Sequence, residues 1–227
     1  MSLKNLIIVT LFLSFSTLQA QHVREEYNFL GIQGGVTLFD VKTDNFNTEQ
    51  GTGFYAGFVT HGDFYNNFDL EYGITFFQNE IGIYGRRFNG PIPTSDAKYI
   101  PFTISGAQVK FLGSLNIITH YLSVDFGPIL SVNGKMKLKH EQDNDYILEG
   151  YTTVTGEDIS QVSPIHFHLA GGITAGLKHF RLNAQYQYGV TNFFNRLNDQ
   201  DGLQAEKPEG GFKGNTSLIL LGGYIFF

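Results

Sequence analysis

The sequence predicts an all-β fold, an eight-stranded antiparallel up-and-down barrel preceded by an N-terminal signal peptide. Three observations predict it. Segment after segment alternates apolar and polar side chains with a period of two. The connections between those segments alternate between short and long. The composition is rich in glycine and aromatics, with 27 Gly, 22 Phe and 12 Tyr against 16% charged residues, which suits strands and turns better than helical bundles. A chain of 227 residues fits one such domain behind a targeting segment.

Residues 1–20 carry a basic Lys4, an apolar core from Leu6 to Phe15 and a polar stretch ending at Ala20. This is the pattern of a cleaved export signal, and the apolar core falls well short of the roughly 20 residues a membrane-spanning helix needs. The barrel domain is therefore 21–227. Its first strand sets Leu30, Ile32, Gly34, Val36 and Leu38 against Gly31, Gln33, Gly35 and Thr37, and a second runs from Gly53 to Thr60. In the third, Phe68, Leu70, Tyr72, Ile74 and Phe76 oppose Asp69, Glu71, Gly73 and Thr75. In the fourth, Lys98 to Leu112, the apolar residues change phase. Ile100, Phe102 and Ile104 fall on even numbers, Val109 and Phe111 on odd ones, and a β-bulge near Gly106 is the expected cause.

The fifth strand sets Leu122, Val124, Phe126, Leu130 and Val132 against Ser123, Asp125 and Ser131. The sixth and seventh, around Ile165–Leu177 and Phe180–Thr191, are joined by a tight hairpin. The last, Ser217 to Phe227, is apolar on both faces. Short turns are expected at 61–66, 113–118 and 177–180. Long, polar loops rich in Asp, Asn and Gly are expected at 40–50, 79–97, 139–160 and 195–213. Short turns on one side and long loops on the other are the pattern of outer-membrane barrels.

Side-chain size decides which face points inward. Eight strands enclose a lumen just wide enough for side chains, so the bulky apolar set belongs outside, toward lipid, and the small and polar set inside. Buried charges need partners. The inner set offers Asp69, Glu71 and Asp125 against Lys110, Lys178 and Arg181, with His166 and His168 nearby. The expectation is a lumen polar network of these eight residues that leaves no pore; the alternative for each is a strand end in water.

Chemistry is sparse. With no cysteine there are no disulfides, thiolate metal sites or cysteine nucleophiles, and a net charge of −6 without basic clusters argues against nucleic acid. His166 and His168 share a face at a chelating spacing, but third and fourth ligands are not evident. Ser123, His166 and Asp125 can be written as a triad, as can many sets in so polar a lumen. The loop at 139–160 is acidic without calcium-loop spacing. Arg86 and Arg87 read as solvated, with contacts to lipopolysaccharide phosphates as the alternative. No cofactor is called for.

Some segments resemble a known family. The tail Leu221-Gly222-Gly223-Tyr224-Ile225-Phe226-Phe227 resembles the C-terminal signature of outer-membrane barrels, with Leu221, Gly223, Ile225 and Phe227 in the alternating places. Tyr186 to Asn192, Lys98 to Phe102, and Tyr121 to Leu130 with its Phe126-Gly127-Pro128 resemble the PorT-like outer-membrane β-barrel family of Bacteroidetes. The resemblance implies recognition of the tail by the barrel-assembly machinery, a location among outer-membrane lipid and lipopolysaccharide, and a non-enzymatic role, structural, partner-binding or accessory to secretion. A barrel enzyme acting on lipid or peptide and a soluble lipocalin-like carrier are the alternatives.

Overall fold

The computed structural model describes residues 28–89, 92–118 and 121–227; the expected signal peptide lies outside them. Eight long strands form a closed antiparallel ring: β1 (Phe29–Lys42), β2 (Thr48–Tyr65), β3 (Phe68–Asn89), β4 (Ile92–Ile118), β5 (Leu122–Asn133), β8 (Ile165–Gly176), β9 (Phe180–Gly189) and β10 (Asn215–Phe226). Two short strands, β6 (Lys137–Leu138) and β7 (Tyr146–Leu148), lie in the β5–β8 connection. Each long strand pairs with the next in the chain. The ring closes where β10 meets β1, in a register running from Gly31 opposite Phe226 to Lys42 opposite Asn215. Closure leaves the spanning part of the sheet without a free edge.

The faces divide as side-chain size requires. Leu30, Ile32, Phe54, Phe58, Ile74, Phe76, Phe111, Leu169 and Leu182 point outward and are exposed, with Phe58 and Phe76 each at 60%. On β4 this apolar outer face runs from Val109 to Ile117, and on β10 from Ile219 to Phe227. Nine tilted residues rise roughly 20–25 Å, the height of the apolar band on membrane barrels. A soluble carrier of lipocalin type requires the opposite arrangement, with these faces turned in, so that alternative is set aside.

Gln33, Thr75, Gln108, Ser131, Asn183 and Gln187 are buried on the inner face. Glycine makes room where a large side chain crosses the lumen. At Gly222 of β10, a Cβ would stand 2.3 Å from the Tyr55 hydroxyl and 2.4 Å from the Gly34 carbonyl.

The structure corrects several sequence readings. No bulge interrupts β4 at Gly106, because its register with β3 is unbroken from Phe68 opposite Leu115 to Arg86 opposite Ala97. Even-numbered residues of β4 face inward from Ile100 to Asn116. What changes is the surroundings: Gln108 and Lys110 lie in the lumen, whereas Ile100, Phe102 and Ile104, equally buried, lie beyond it. In β3 the inner face likewise passes from Asp69, Glu71 and Thr75 to Ile81 and Ile83, while the outer face passes from Ile74 and Phe76 to Glu80, Tyr84 and Arg86. The polarity inverts where the strands leave the apolar band and enter water. For the same reason most of the expected loop at 79–97 is strand, and the loop at 40–50 shrinks to residues 43–47. The expected turns at 61–66 and 113–118 are also mostly strand, with β2 ending at Tyr65 and β4 at Ile118.

Candidate functional site

The interior is a stack of layers. Nearest the short turns, His61 Nε2 lies 3.1 Å from Asp69 Oδ2, and the Asn116 amide donates to the same oxygen at 2.6 Å. Arg181 Nη1 lies 3.5 Å from His61 Nε2, and its guanidinium sits 5.5 Å above the Phe226 ring. One layer up, Lys110 Nζ donates to Glu71 Oε1 and Gln33 Oε1, each at 2.6 Å, and to the Tyr224 hydroxyl at 3.3 Å. The Tyr224 hydroxyl in turn donates to Glu71 at 3.2 Å. Burying Lys110 and Glu71 is tolerable because each meets the opposite charge and further hydrogen bonds. To one side, Asp125 accepts from Ser123 Oγ at 2.8 Å and from Thr174 Oγ1.

Amides fill the middle. Gln108 donates to Gln187 at 3.2 Å, and Gln187 to Gln185 at 2.8 Å. Above them His168 Nε2 lies 2.9 Å from Thr216 Oγ1. His166 Nε2 lies 2.7 Å from the Ser163 carbonyl, and its ring stacks on Phe193 at 5.2 Å. Asp69, Glu71, Lys110, Asp125, His166, His168 and Arg181 thus all point into the lumen and are buried. Lys178 does not. It is exposed in the β8–β9 turn with its ammonium 5.6 Å over the Phe29 ring, because β8 ends at Gly176 and the alternation no longer applies there.

Among the described residues no cluster of three or more His, Cys, Asp or Glu side chains occurs around the two histidines. The candidate triad is not assembled either. Asp125 pairs with Gly172 of β8, six residues from His166, a separation of roughly 20 Å along the strand.

Above the histidines the lumen is closed by a cap. The expected loops at 139–160 and 195–213 instead fold inward, burying Tyr146, Leu148, Ile159, Leu197, Leu203 and Phe212 against Phe39, Ile81 and Phe102 of the strand extensions and Phe46 of the β1–β2 loop. Phe46 stacks on Phe212 at 5.8 Å and meets Phe194 edge-on at 5.0 Å. Polar clasps fasten the rim. Glu206 accepts from the backbone N–H groups of Thr152 and Thr153 and from the Thr153 hydroxyl, joining the two long connections. Those bonds hold its carboxyl below its usual pKa. Burial, with Glu206 nearby, pushes the Tyr151 phenol up to about 12.

Lys98 donates to the buried Asp143 at 2.6 Å, a bond that raises the Lys98 pKa. Arg86 and Arg87 belong to the cap as well: Arg86 donates to Glu149 at 3.2 Å and Arg87 lies 4.8 Å over the Tyr146 ring.

Little space remains inside. A cavity of about 20 Å³ lies under the cap between Phe193 and His168, and one of about 10 Å³ lies among the glutamines. Each has room for about one water molecule. Gln33, which the alternation of the first strand puts on the inner face, completes the network together with His61, Asn116 and Tyr224, which the sequence does not single out. Inward phase on β2, β4 and β10 was the signal that marked those three.

Leu221, Ile225 and Phe227 face outward on the closing strand, and the Phe227 N–H donates to the Leu30 carbonyl at 2.9 Å.

No protein-family model matches the sequence, and no curated protein is significantly similar to it. Among solved structures the chain is similar to Neisserial surface protein A, at 11% identity and a TM-score of 0.47 over 87% of this chain and 97% of that one. It is also similar to Ail, the attachment invasion locus protein of Yersinia pestis, at 14% identity, with a TM-score of 0.45 over 88% of this chain and 99% of that one. The outer membrane protein OprG of Pseudomonas aeruginosa is another, at 13% identity, with a TM-score of 0.44 over 88% of this chain and 95% of that one.

Proposed function

We propose that the chain is a non-enzymatic integral protein of a bacterial outer membrane, a sealed barrel whose folded cap presents a docking surface for an envelope or secretion-system protein. The observation that carries this reading is the interior filled from end to end, polar below and apolar above. A channel needs a continuous path, and an enzyme needs reactive groups a substrate can reach. Here the polar side chains are spent on one another. The surface left for function is the cap.

The outward apolar band supports a membrane location, since only lipid makes so many exposed Leu, Ile and Phe side chains favourable. The signal-like N-terminus and the outward-facing Leu221, Ile225 and Phe227 support export and insertion by the barrel-assembly machinery. An accessory role in secretion, as in the PorT-like family, is the specific form suggested by Lys98–Phe102 and Tyr186–Asn192. Cross-linking in intact cells, followed by purification of the barrel from the outer membrane, tests it. A reproducible envelope or secretion partner, lost on disrupting the cap, is the expected result. Recovery of the mature chain in the soluble periplasm, or a barrel with no cap-dependent partner, overturns it.

A further inference from the structure

We infer that the cap carries a binding site for a phosphorylated sugar headgroup of an outer-leaflet glycolipid, seated beside β6. This rests on the outer-membrane reading above. Where β5 leaves the apolar band, the chain runs from the outward, exposed Val132 to Lys135, Met136, Lys137 and Leu138. These residues line an open pocket of about 490 Å³ whose far wall includes Glu141 and Glu157 of the cap. That volume lies within the range of small-molecule sites.

Four features argue for the occupant. Lys135 and Lys137 are exposed, and among the described residues neither ammonium has an ion-pair partner. The next lysine, Lys139, is already held by Glu80 at 2.7 Å. Both free ammoniums stand roughly 10–16 Å of chain beyond the last lipid-facing residue of β5, the level at which headgroups of the outer leaflet sit. The floor is apolar: Met136 is fully buried, and a Cβ at Gly156 would meet Leu138 and Phe102, each at 2.9 Å.

Two unpaired ammoniums suit phosphate oxygens. Glu141 and Glu157 would repel a bare anion but accept hydrogen bonds from sugar hydroxyls. Glu157 already accepts one from the Asn144 amide at 3.1 Å. Phosphate on one wall and hydroxyls on the other describe a phosphorylated sugar, and continuity with the lipid-facing wall makes its source a membrane lipid.

Native mass spectrometry of the mature barrel tests this, in phosphatidylcholine nanodiscs doped with diphosphorylated lipid A or its dephosphorylated form. The expected result is preferential retention of the phosphorylated form by about tenfold, the scale of one charge-assisted hydrogen bond or more. Parity is expected for the Lys135→Gln/Lys137→Gln variant. The Lys135→Arg/Lys137→Arg variant, which keeps both charges, retains the preference, as does Lys207→Gln elsewhere on the cap. Undiminished preference in the double glutamine variant, or equal retention of both lipids by the unaltered barrel, overturns the site. Displacement by millimolar inorganic phosphate would reassign the pocket to a free anion and so also overturn it. Failure of the chain to enter bilayers at all sinks the membrane reading and this inference together, whereas parity in an inserted barrel sinks only the latter.

Discussion

Replacing Lys110 by methionine removes, among the described residues, the one Lys or Arg that faces Glu71 at hydrogen-bond distance. The two side chains are 6% and 2% exposed, and their charged atoms lie 2.6 Å apart. In Lys110→Met the Glu71 carboxylate keeps the Tyr224 hydroxyl at 3.2 Å and His61 Nδ1 at 3.9 Å, but no cation at bonding distance. Gln33 loses a donor as well. Breaking a buried pair from one side typically costs about 3–5 kcal/mol, which lowers the folded-to-unfolded ratio by roughly 10²- to 10⁴-fold.

Reversible urea unfolding in detergent micelles or lipid vesicles, followed by the gel shift between folded and heat-unfolded barrel, reads this directly. The double variant Lys110→Met/Glu71→Leu is expected to recover most of the loss, since an apolar replacement of both partners removes the desolvation cost with the charges. A single variant within about 1 kcal/mol of the parent would mean that water reaches Glu71. That result would refute the sealed lumen.

Other expectations concern the cap and the tail. Phe212→Ala deletes a fully buried ring that stacks on Phe46 and Tyr151, at a cost of about 3–5 kcal/mol. Proteolysis in the 190–214 connection should accelerate while the membrane-embedded barrel keeps its gel shift, and cleavage at the parental rate would show that the cap is not held by this core. Glu206 has a folded pKa lowered below its ordinary 4.5, so its clasp contributes above that value and is lost as pH falls through the lowered one. Hydrogen exchange at the Thr152 and Thr153 amides should therefore rise in acid beyond the intrinsic change, and Glu206→Gln should show no such acid step; an unchanged step would place the titration elsewhere. Deleting Phe227 removes the outward residue at the end of the closing strand and should slow assembly into the membrane, measured as loss of the folded species; assembly at the parental rate would remove Phe227 from the insertion signal.

How far the sequence could be read follows from where each residue sits relative to lipid. Within the apolar band, lipid outside and a narrow lumen inside enforce a strict period, so Phe180 to Gly189 and Tyr72 to Phe76 declare their faces unaided. Beyond the band water replaces lipid. Glu80 and Arg86 then take the outer face while Ile81 and Ile83 take the inner, and the same strand resembles a loop or a slipped register. The cap was harder still. Ile159, Leu197, Leu203 and Phe212 follow no period because irregular backbone carries them, and what closes over the strand extensions is set by tertiary packing. Phe46, the Phe193–Phe194 pair and Phe212, aromatic residues in segments otherwise polar, were the available hint. Lys178 was misplaced by extending an alternation two residues past the end of its strand.

The barrel is sealed, with an unbroken inward phase along β4 from Ile100 to Asn116, polar within the apolar band and capped above it. The chain has no cysteine, so single cysteines can be placed along β4 without background. Labels at positions 109 and 111 should be quenched by a lipid-soluble quencher. Position 105 should react with a water-soluble thiol reagent, and positions 102, 104, 108 and 110 should resist both. Rapid aqueous labelling at 108 or 110, or a reversal of parity across Gly106, would contradict it.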